Sequence, residues 1–263
     1  MMRCDILTLF PSMVKSVLET SMMSLAQAKG LLDVTVIDIR SFTHDRHRTA
    51  DDRPYGGGAG MILKPEPILE AIDSICATHP NTRIVMTSPR GRKFDQAYAQ
   101  KMSEDSHRLV FICGHYEGID ERVHMIMATE GRKVDEVAIG DYVLTGGELA
   151  ALVMIDASVR LIPGVLGSTN SVKEESFSST LLEYAQYTRP VELRAARVPD
   201  VLLSGHHGAI RKWKHRSSLA STYARRPDLL TGRALAHADQ LILTDIQKEE
   251  DTEKSDSPRR LSS

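Results

Sequence analysis

The chain has 263 residues, of which 41% are hydrophobic and 26% charged, and its net charge is −2. These values are close to those of soluble proteins and fit one large or two ordinary domains. The three cysteines are scattered and no apolar run approaches the roughly 18 residues of a membrane span, which excludes a disulfide framework, a cysteine-rich zinc site and a membrane partner. No signal-peptide pattern is present, so we expect a cytoplasmic protein.

The first two-thirds of the sequence alternates strand and helix patterns, which predicts an α/β fold on a mostly parallel sheet. The expected strands are short, β-branched segments at residues 3–9, 34–39, 83–87, 108–113 and 134–139. Helices are expected at residues 12–29, 66–77, 94–103, 121–129 and 149–159.

Three consecutive strands end in small, polar loops at residues 88–92, 114–120 and 139–148. Because the carboxyl ends of parallel strands share one edge of a sheet, these loops are expected to build one ligand pocket. A phosphate loop is excluded because Glu148, rather than a lysine, follows the glycine pair. Glu117 and Glu148 favour a ligand with positive charge or hydroxyl groups over a pyrophosphate.

Two further segments suggest contacts with a polymer. Residues 51–60 contain four glycines in five positions and are either a flexible linker or a base-binding lip opened by Asp51 and Arg53. Residues 185–235 contain ten lysines and arginines against three acids, which indicates an anionic polymer as partner. The sole tryptophan, Trp213, lies in that basic stretch, as expected of an RNA-binding surface.

The composition also divides the chain. We predict a first domain at residues 1–166, an inter-domain linker rich in glycine and serine at 167–179, a small basic and mainly helical domain at 180–246, and a disordered polar tail at 247–263.

From about residue 3 to about residue 230, the sequence resembles the bacterial tRNA (guanine-N1)-methyltransferases of the SPOUT class. The resemblance rests on motifs in the family's order, at residues 51–60, 114–123, 139–148, 160–167, 187–190 and 204–213. It implies a deep trefoil knot at the C-terminal end of the first domain, which topology rules alone would not predict. It also implies an obligate homodimer whose active site uses both chains, and transfer of a methyl group from S-adenosylmethionine to N1 of the guanine just 3′ of the tRNA anticodon.

The same resemblance implies roles for individual residues. Glu175 corresponds to the base that removes the N1 proton, and Arg160 to the cation that stabilises O6. Contacts with the anticodon branch of tRNA are expected from Asp51, Arg53, His206, Arg211 and Trp213. The expected cofactor-binding residues are Ser88, Pro89, Gly114, Glu117, Ile139, Gly140, Asp141, Tyr142, Val143, Leu144, Gly146 and Gly147. Magnesium is also expected to take part, through ligands that the sequence does not identify.

The chain departs from the family pattern at several positions. Glu175 stands where aspartate is usual, and the neighbouring Glu174 is a second candidate base. Arg90 replaces the usual glutamine and Ala59 the usual proline, and the stretch 124–136 is longer than in common members. Two alternatives therefore remain: a SPOUT methyltransferase of another RNA, and a tRNA-binding protein whose catalysis has decayed.

Overall fold

The computed structural model describes residues 1–166, 175–177, 181–231 and 235–256. It divides into two compact units, Met1–Thr169 and Asn170–Ser263. The division falls within the expected linker at residues 167–179, of which only 175–177 are described; Glu174 lies outside the described residues.

The first unit is built on a five-stranded sheet in which all neighbouring strands are parallel. The strands are β1 (Met2–Thr8), β2 (Leu32–Asp38), β5 (Thr82–Lys93), β6 (Arg108–Cys113) and β7 (Val134–Ala138), in the order β2-β1-β6-β5-β7. The short strands β3 (Asp51–Asp52) and β4 (Ile62–Leu63) form a separate antiparallel pair. The predicted α/β class and parallel sheet are confirmed.

Helices cover both faces of this sheet, so its central strand β6 is buried along its whole length. Alternate residues of β6 enter different cores: Leu109 and Phe111 pack on one face, Val110 and Ile112 on the other. The helices of the unit are α1 (Pro11–Leu18), α2 (Ser21–Ala28), α3 (Pro65–Thr78), α4 (Gln96–Ser103), α5 (Arg122–Thr129) and α6 (Glu148–Val159). Helices α1, α2, α4 and α6 supply the first core, and α3 and α5 the second.

Two predictions for elements of the first unit are wrong. The single helix expected at residues 12–29 is two helices, because Thr20 adopts an extended backbone and its hydroxyl donates a hydrogen bond of 2.9 Å to the Val17 carbonyl. The loop expected at residues 88–92 belongs to β5, which continues to Lys93 with a register shift against β7. Gly91 allows this continuation, since a Cβ there would overlap the backbone of Glu136 and Val137.

The described part of the second unit contains a β-hairpin, three α-helices and a short 3-10 helix at Pro227–Leu229. Strands β8 (Glu192–Leu193) and β9 (Ala196–Arg197) pair, and helices α7 (Asp200–Leu203), α8 (His207–Arg225) and α9 (His237–Asp256) follow. A small core of Leu181, Leu219, Leu243 and Ile246 holds α8 and α9 together.

Helix α9 includes residues 247–256, which the sequence predicted to be disordered. Glu249 accounts for the difference, because its carboxylate receives two hydrogen bonds of 2.6 and 2.7 Å from Arg216 Nη2 on α8. Residues 257–263 of the expected tail lie outside the described residues. Within the described ranges, no helix is long and apolar enough to cross a membrane.

Arg108 is the buried cation of the first unit, and its removal is expected to destabilise that unit. Its Nε donates a hydrogen bond of 2.7 Å to the buried Asp5. Arg108→Met leaves the Asp5 carboxylate buried without a partner, so the free energy of unfolding should fall by about 3 kcal/mol. Arg122→Met is the control, because Arg122 pairs with Asp120 at the surface. Urea denaturation followed by circular dichroism tests this; equal midpoints for both variants would contradict it.

Candidate active site

A cavity of about 390 Å³ opens where β6 and β7 end and β5 changes register. It is lined by residues of the segments 86–90, 114–121 and 136–147, together with Ala150. The volume lies within the range of about 300–1,000 Å³ that small-molecule sites occupy. The three segments expected to share a pocket therefore do line one cavity.

Of the residues expected to bind a cofactor, Asp141 alone does not line the cavity. Its side chain is 91% exposed, and its nearest charged neighbour is Lys93, at 3.4 Å. Backbone and apolar side chains of the segment 139–147 form one wall of the cavity, and Ser88 and Pro89 belong to the irregular part of β5.

The floor of the cavity is a close contact between two backbone segments. The Gly147 N–H donates a hydrogen bond of 2.7 Å to the Gly114 carbonyl. A Cβ at Gly147 would overlap Thr87 Oγ1, and a Cβ at Gly146 would overlap the side chains of His115 and Glu148. Glycine is therefore required at both positions by crowding, so that α6 can begin directly beside the end of β6.

Glu148 lies beneath this floor and does not line the cavity. It is 1% exposed, and its carboxylate accepts a hydrogen bond of 2.7 Å from Thr8 Oγ1. As the first residue of α6 it also lies at the positive end of the helix dipole. The suggestion that Glu148 attracts a positively charged ligand is therefore wrong. Burial and then the Glu148 charge raise the pKa of the Cys113 thiol well above its usual value, which keeps that thiol protonated.

His115 is the neighbour of Glu148 at the floor. Its Nδ1 lies 3.8 Å from Glu148 Oε2, too far for a hydrogen bond, and this buried nitrogen has no hydrogen-bond partner among the residues the structure describes. The ring packs against Phe10, with the two centroids 4.7 Å apart.

The lining of the cavity includes three glutamates, Glu117, Glu121 and Glu136. Arg90 Nη2 lies 3.2 Å from both Glu121 and Glu136, and these carboxylates raise the pKa of its guanidinium, the hydrogen bond to Glu121 most of all. His124 Nε2 lies 2.9 Å from Glu136 Oε1, in ion-pair range but not aligned as a hydrogen bond. The sequence interpretation missed Glu121 and Glu136. For Glu136 a signal was available, because Asp135 and Glu136 are two adjacent acids within the strand expected at residues 134–139.

The glycine-rich segment 51–60 lies within the first unit beside the cavity, so it is not an inter-domain linker. The Glu117 N–H donates a hydrogen bond of 3.0 Å to the Met61 carbonyl, and a Cβ at Gly60 would overlap the Glu117 carboxylate. Asp51 belongs to β3, and Arg53, which follows that strand, is exposed.

The two residues expected to carry the chemistry belong to different units. Arg160 follows the last turn of α6 and is half-buried, with its N–H 3.3 Å from the Asp156 carbonyl. Glu175 belongs to the second unit and is also half-buried.

The residues of the second unit expected to bind tRNA are on or beside α8. His206 caps the helix, because its Nδ1 accepts a hydrogen bond of 3.1 Å from the Ala209 N–H. Trp213 packs against Tyr187, with 6.2 Å between ring centroids, and Arg211 is exposed. His206 thus has a structural role beside any role in binding.

The fold and the cavity define an α/β protein that has a cavity of small-molecule size at the carboxyl edge of a parallel sheet and also carries a basic helical unit. Residues 2–232 match the model of the family described as tRNA (Guanine-1)-methyltransferase TrmD. The chain belongs to this family, which confirms the resemblance seen in its motifs.

Curated relatives agree with this assignment over nearly their whole length. The chain is 51% identical to a tRNA (guanine-N(1)-)-methyltransferase from Geobacillus kaustophilus, over 94% of this chain and 96% of the relative. It is 52% identical to the protein of that name from Carboxydothermus hydrogenoformans, over 92% of each chain. The one from Dictyoglomus turgidum is 47% identical, over 95% of this chain and 98% of the relative.

The expectation of magnesium finds no support in this geometry. The described part of the chain holds no group of three or more His, Cys, Asp or Glu side chains placed to bind a metal ion.

Crowding at the floor makes a contrast between two glycines testable. Gly147→Ala should lower the melting temperature by roughly 5 °C, because overpacking of this kind costs about 1–3 kcal/mol. Gly114→Ala should change it little, since a Cβ there meets its nearest atoms at 3.7 Å. Differential scanning calorimetry of the two variants measures this. A Gly147→Ala variant that melts with the wild type would show that the floor can move apart.

Proposed function

We propose that this protein transfers a methyl group from S-adenosylmethionine to N1 of the guanine immediately 3′ of the tRNA anticodon. Membership of the tRNA (guanine-1)-methyltransferase family over residues 2–232 carries this proposal. The cavity at the strand ends supports it, because it supplies a site of suitable size in the part of the chain that matches. A tRNA substrate would place the activity in the cytoplasm.

The lining of the cavity fits S-adenosylmethionine in chemistry. Ile139, Val143 and Leu144 offer an apolar wall for a flat base, and backbone groups between them are available for hydrogen bonds. Glu117, Glu121 and Glu136 offer negative charge to the cationic groups of the cofactor. When bound there, S-adenosylmethionine supplies a methyl group activated by its positively charged sulfur.

The target nitrogen requires a base. N1 of guanine carries a proton and is a poor nucleophile until that proton leaves, so a carboxylate must accept it. In the proposal this carboxylate is Glu175, with Glu174 as the competing candidate. Negative charge then develops on O6, and a fixed cation beside it lowers the barrier. Arg160 has that role in the proposal.

The substrate tRNA meets both units in this proposal. The second unit brings the basic surface of α8 with Arg211 and Trp213, together with His206, to the anticodon branch, and electrostatic attraction supplies most of the sequence-independent affinity. Asp51 and Arg53 contribute from the segment beside the cavity. The deep trefoil knot that the family resemblance implies for the C-terminal end of the first domain is also part of this proposal.

A homodimer is also proposed, and exposed apolar side chains of the first unit support it. Met13 and Val17 on α1 are each 39% exposed, and Leu149 and Val153 on α6 are 46% and 47% exposed. Each pair is four residues apart and so lies on one helix face, and the two helices are neighbours. A surface of this kind is suited to contact with a second copy of the chain.

Methyl transfer from labelled S-adenosylmethionine to tRNA transcripts tests the proposal. The transcripts differ only at the two guanines beside the anticodon, so the product identifies the target. We expect transfer to the unaltered transcript and loss of transfer when the target guanine is replaced. Transfer that survives this replacement would favour another site or another RNA. Cofactor binding without any transfer would favour the non-catalytic tRNA-binding protein.

The identity of the base is tested with Glu175→Gln. Loss of a general base typically costs a factor of 10²–10⁴, so the single-turnover rate should fall at least about 100-fold. Glu175→Asp should retain most of the rate, because it keeps a carboxylate within about one C–C bond of the original position. Glu174→Gln is the matched control and should remain active; the reverse pattern would make Glu174 the base.

Single-turnover assays of mixed dimers test whether each active site uses residues of both chains. Neither Arg160→Ala nor Glu175→Gln should be active alone, but a mixed dimer holds one site with both wild-type residues if each site uses both chains. Mixing the two variants should therefore restore up to about half of the activity per mixed dimer. No recovery, although mixed dimers form, would mean that each site uses one chain.

A further inference from the structure

The charges along the cavity are strongly unequal in sign. Three glutamates line it, and among its described lining residues Arg90 is the single lysine or arginine. One permanent cation among three carboxylates favours, by charge complementarity, a ligand that carries one negative group and more than one positive group.

Part of the Arg90 guanidinium is available to donate hydrogen bonds to such a ligand. Its two contacts, to Glu121 and Glu136, both use Nη2 at 3.2 Å, which is long for a charge-assisted hydrogen bond. Within the described ranges, its Nε and Nη1 donate no hydrogen bond, and the side chain is 65% exposed. A guanidinium with one free edge matches a carboxylate in bidentate geometry.

The backbone fixes Arg90 beside Glu136. Gly91, the next residue, packs so closely on β7 that a Cβ would overlap the peptide between Glu136 and Val137. Glu136 itself is only 23% exposed, and its carboxylate lies 2.9 Å from His124 Nε2 as well as 3.2 Å from Arg90. An arginine and a carboxylate are thus held side by side, with opposite charges facing the same cavity.

The amino acid end of S-adenosylmethionine has the matching pattern of charge. It carries one α-carboxylate, one α-ammonium group and a sulfonium nearby. We propose that Arg90 binds the α-carboxylate and that Glu136 accepts hydrogen bonds from the α-ammonium group. This assignment rests on the proposed function and adds to it Arg90 as a residue that determines which ligand the cavity prefers.

Ligands that differ only in the amino acid end test the assignment. S-adenosylhomocysteine has that end, whereas 5′-methylthioadenosine has the same nucleoside and a thioether without it. In calorimetric titrations of the full chain, Arg90→Gln should weaken S-adenosylhomocysteine about tenfold, which corresponds to about 1.4 kcal/mol. Binding of 5′-methylthioadenosine should change less than about twofold. Arg90→Lys should lie between, because lysine keeps the charge and loses the bidentate geometry.

Arg122→Gln is the matched control, because Arg122 is a nearby exposed arginine that pairs with Asp120 and does not line the cavity. It should bind both ligands as the wild type does. Equal weakening of both ligands by Arg90→Gln would make Arg90 a residue that shapes the cavity and would overturn the assignment, as would no change for either. A wild-type chain that binds neither ligand would overturn both the proposed function and the assignment of Arg90. Methyl transfer that is unaffected by Arg90→Gln at limiting cofactor would overturn the assignment of Arg90 alone.

Discussion

The contact between the Gly147 backbone and the end of β6 is the constraint on which the rest of the site depends. Because neither glycine of the pair carries a side chain, α6 starts within hydrogen-bond distance of Gly114. The C-terminal end of the segment 139–147 is thereby fixed beside Gly114, and most residues of the segment line the cavity. The cavity is a consequence of that closure, and Glu148 is buried by it against Thr8.

This arrangement separates two kinds of carboxylate that look alike in the sequence. Glu148 is withdrawn beneath the floor, where Thr8 and the start of α6 stabilise its charge. Glu117, Glu121 and Glu136 line the cavity instead, and Arg90 pairs with two of them, Glu121 and Glu136. The Glu148 carboxylate therefore has a structural role, and the other three carboxylates give the cavity its negative charge.

The bounds of a secondary-structure element could be predicted best where one local pattern, such as continuous burial, determined its structure. The largely apolar run at residues 108–113, which begins with Arg108, predicted the bounds of β6 as the structure has them, because a strand buried on both faces has no competing pattern. Prediction failed where a distant contact decided the outcome. The continuation of β5 past residue 87 depends on Gly91 meeting the backbone of β7, and the helical residues 247–256 depend on Arg216. Neither contact leaves a local signal.

The candidate site divides in the same way. Glycine density pointed to the segment 139–147, but nothing local separated Glu148 from Glu136, since only the fold decides which carboxylate faces the cavity. Glu175 and Arg160 were assigned through the family motifs alone. They belong to different units, and their types and spacing in the sequence carry no pattern that links them.

The proposed contacts contribute to methyl transfer in different ways. The α-carboxylate that Arg90 would bind keeps its charge throughout the reaction, so this contact stabilises ground state and transition state alike and raises affinity without raising the rate of the chemical step. Glu175 and Arg160 would contact atoms of guanine whose charge changes as the proton leaves N1, so their contribution is concentrated in the transition state. The sulfonium of a bound S-adenosylmethionine would, in contrast, lose its charge on transfer, so the carboxylates of the cavity would attract the product less strongly than the cofactor. A gain of affinity through Arg90 is tolerable in such a site because the loss of the sulfonium charge still favours release of the product.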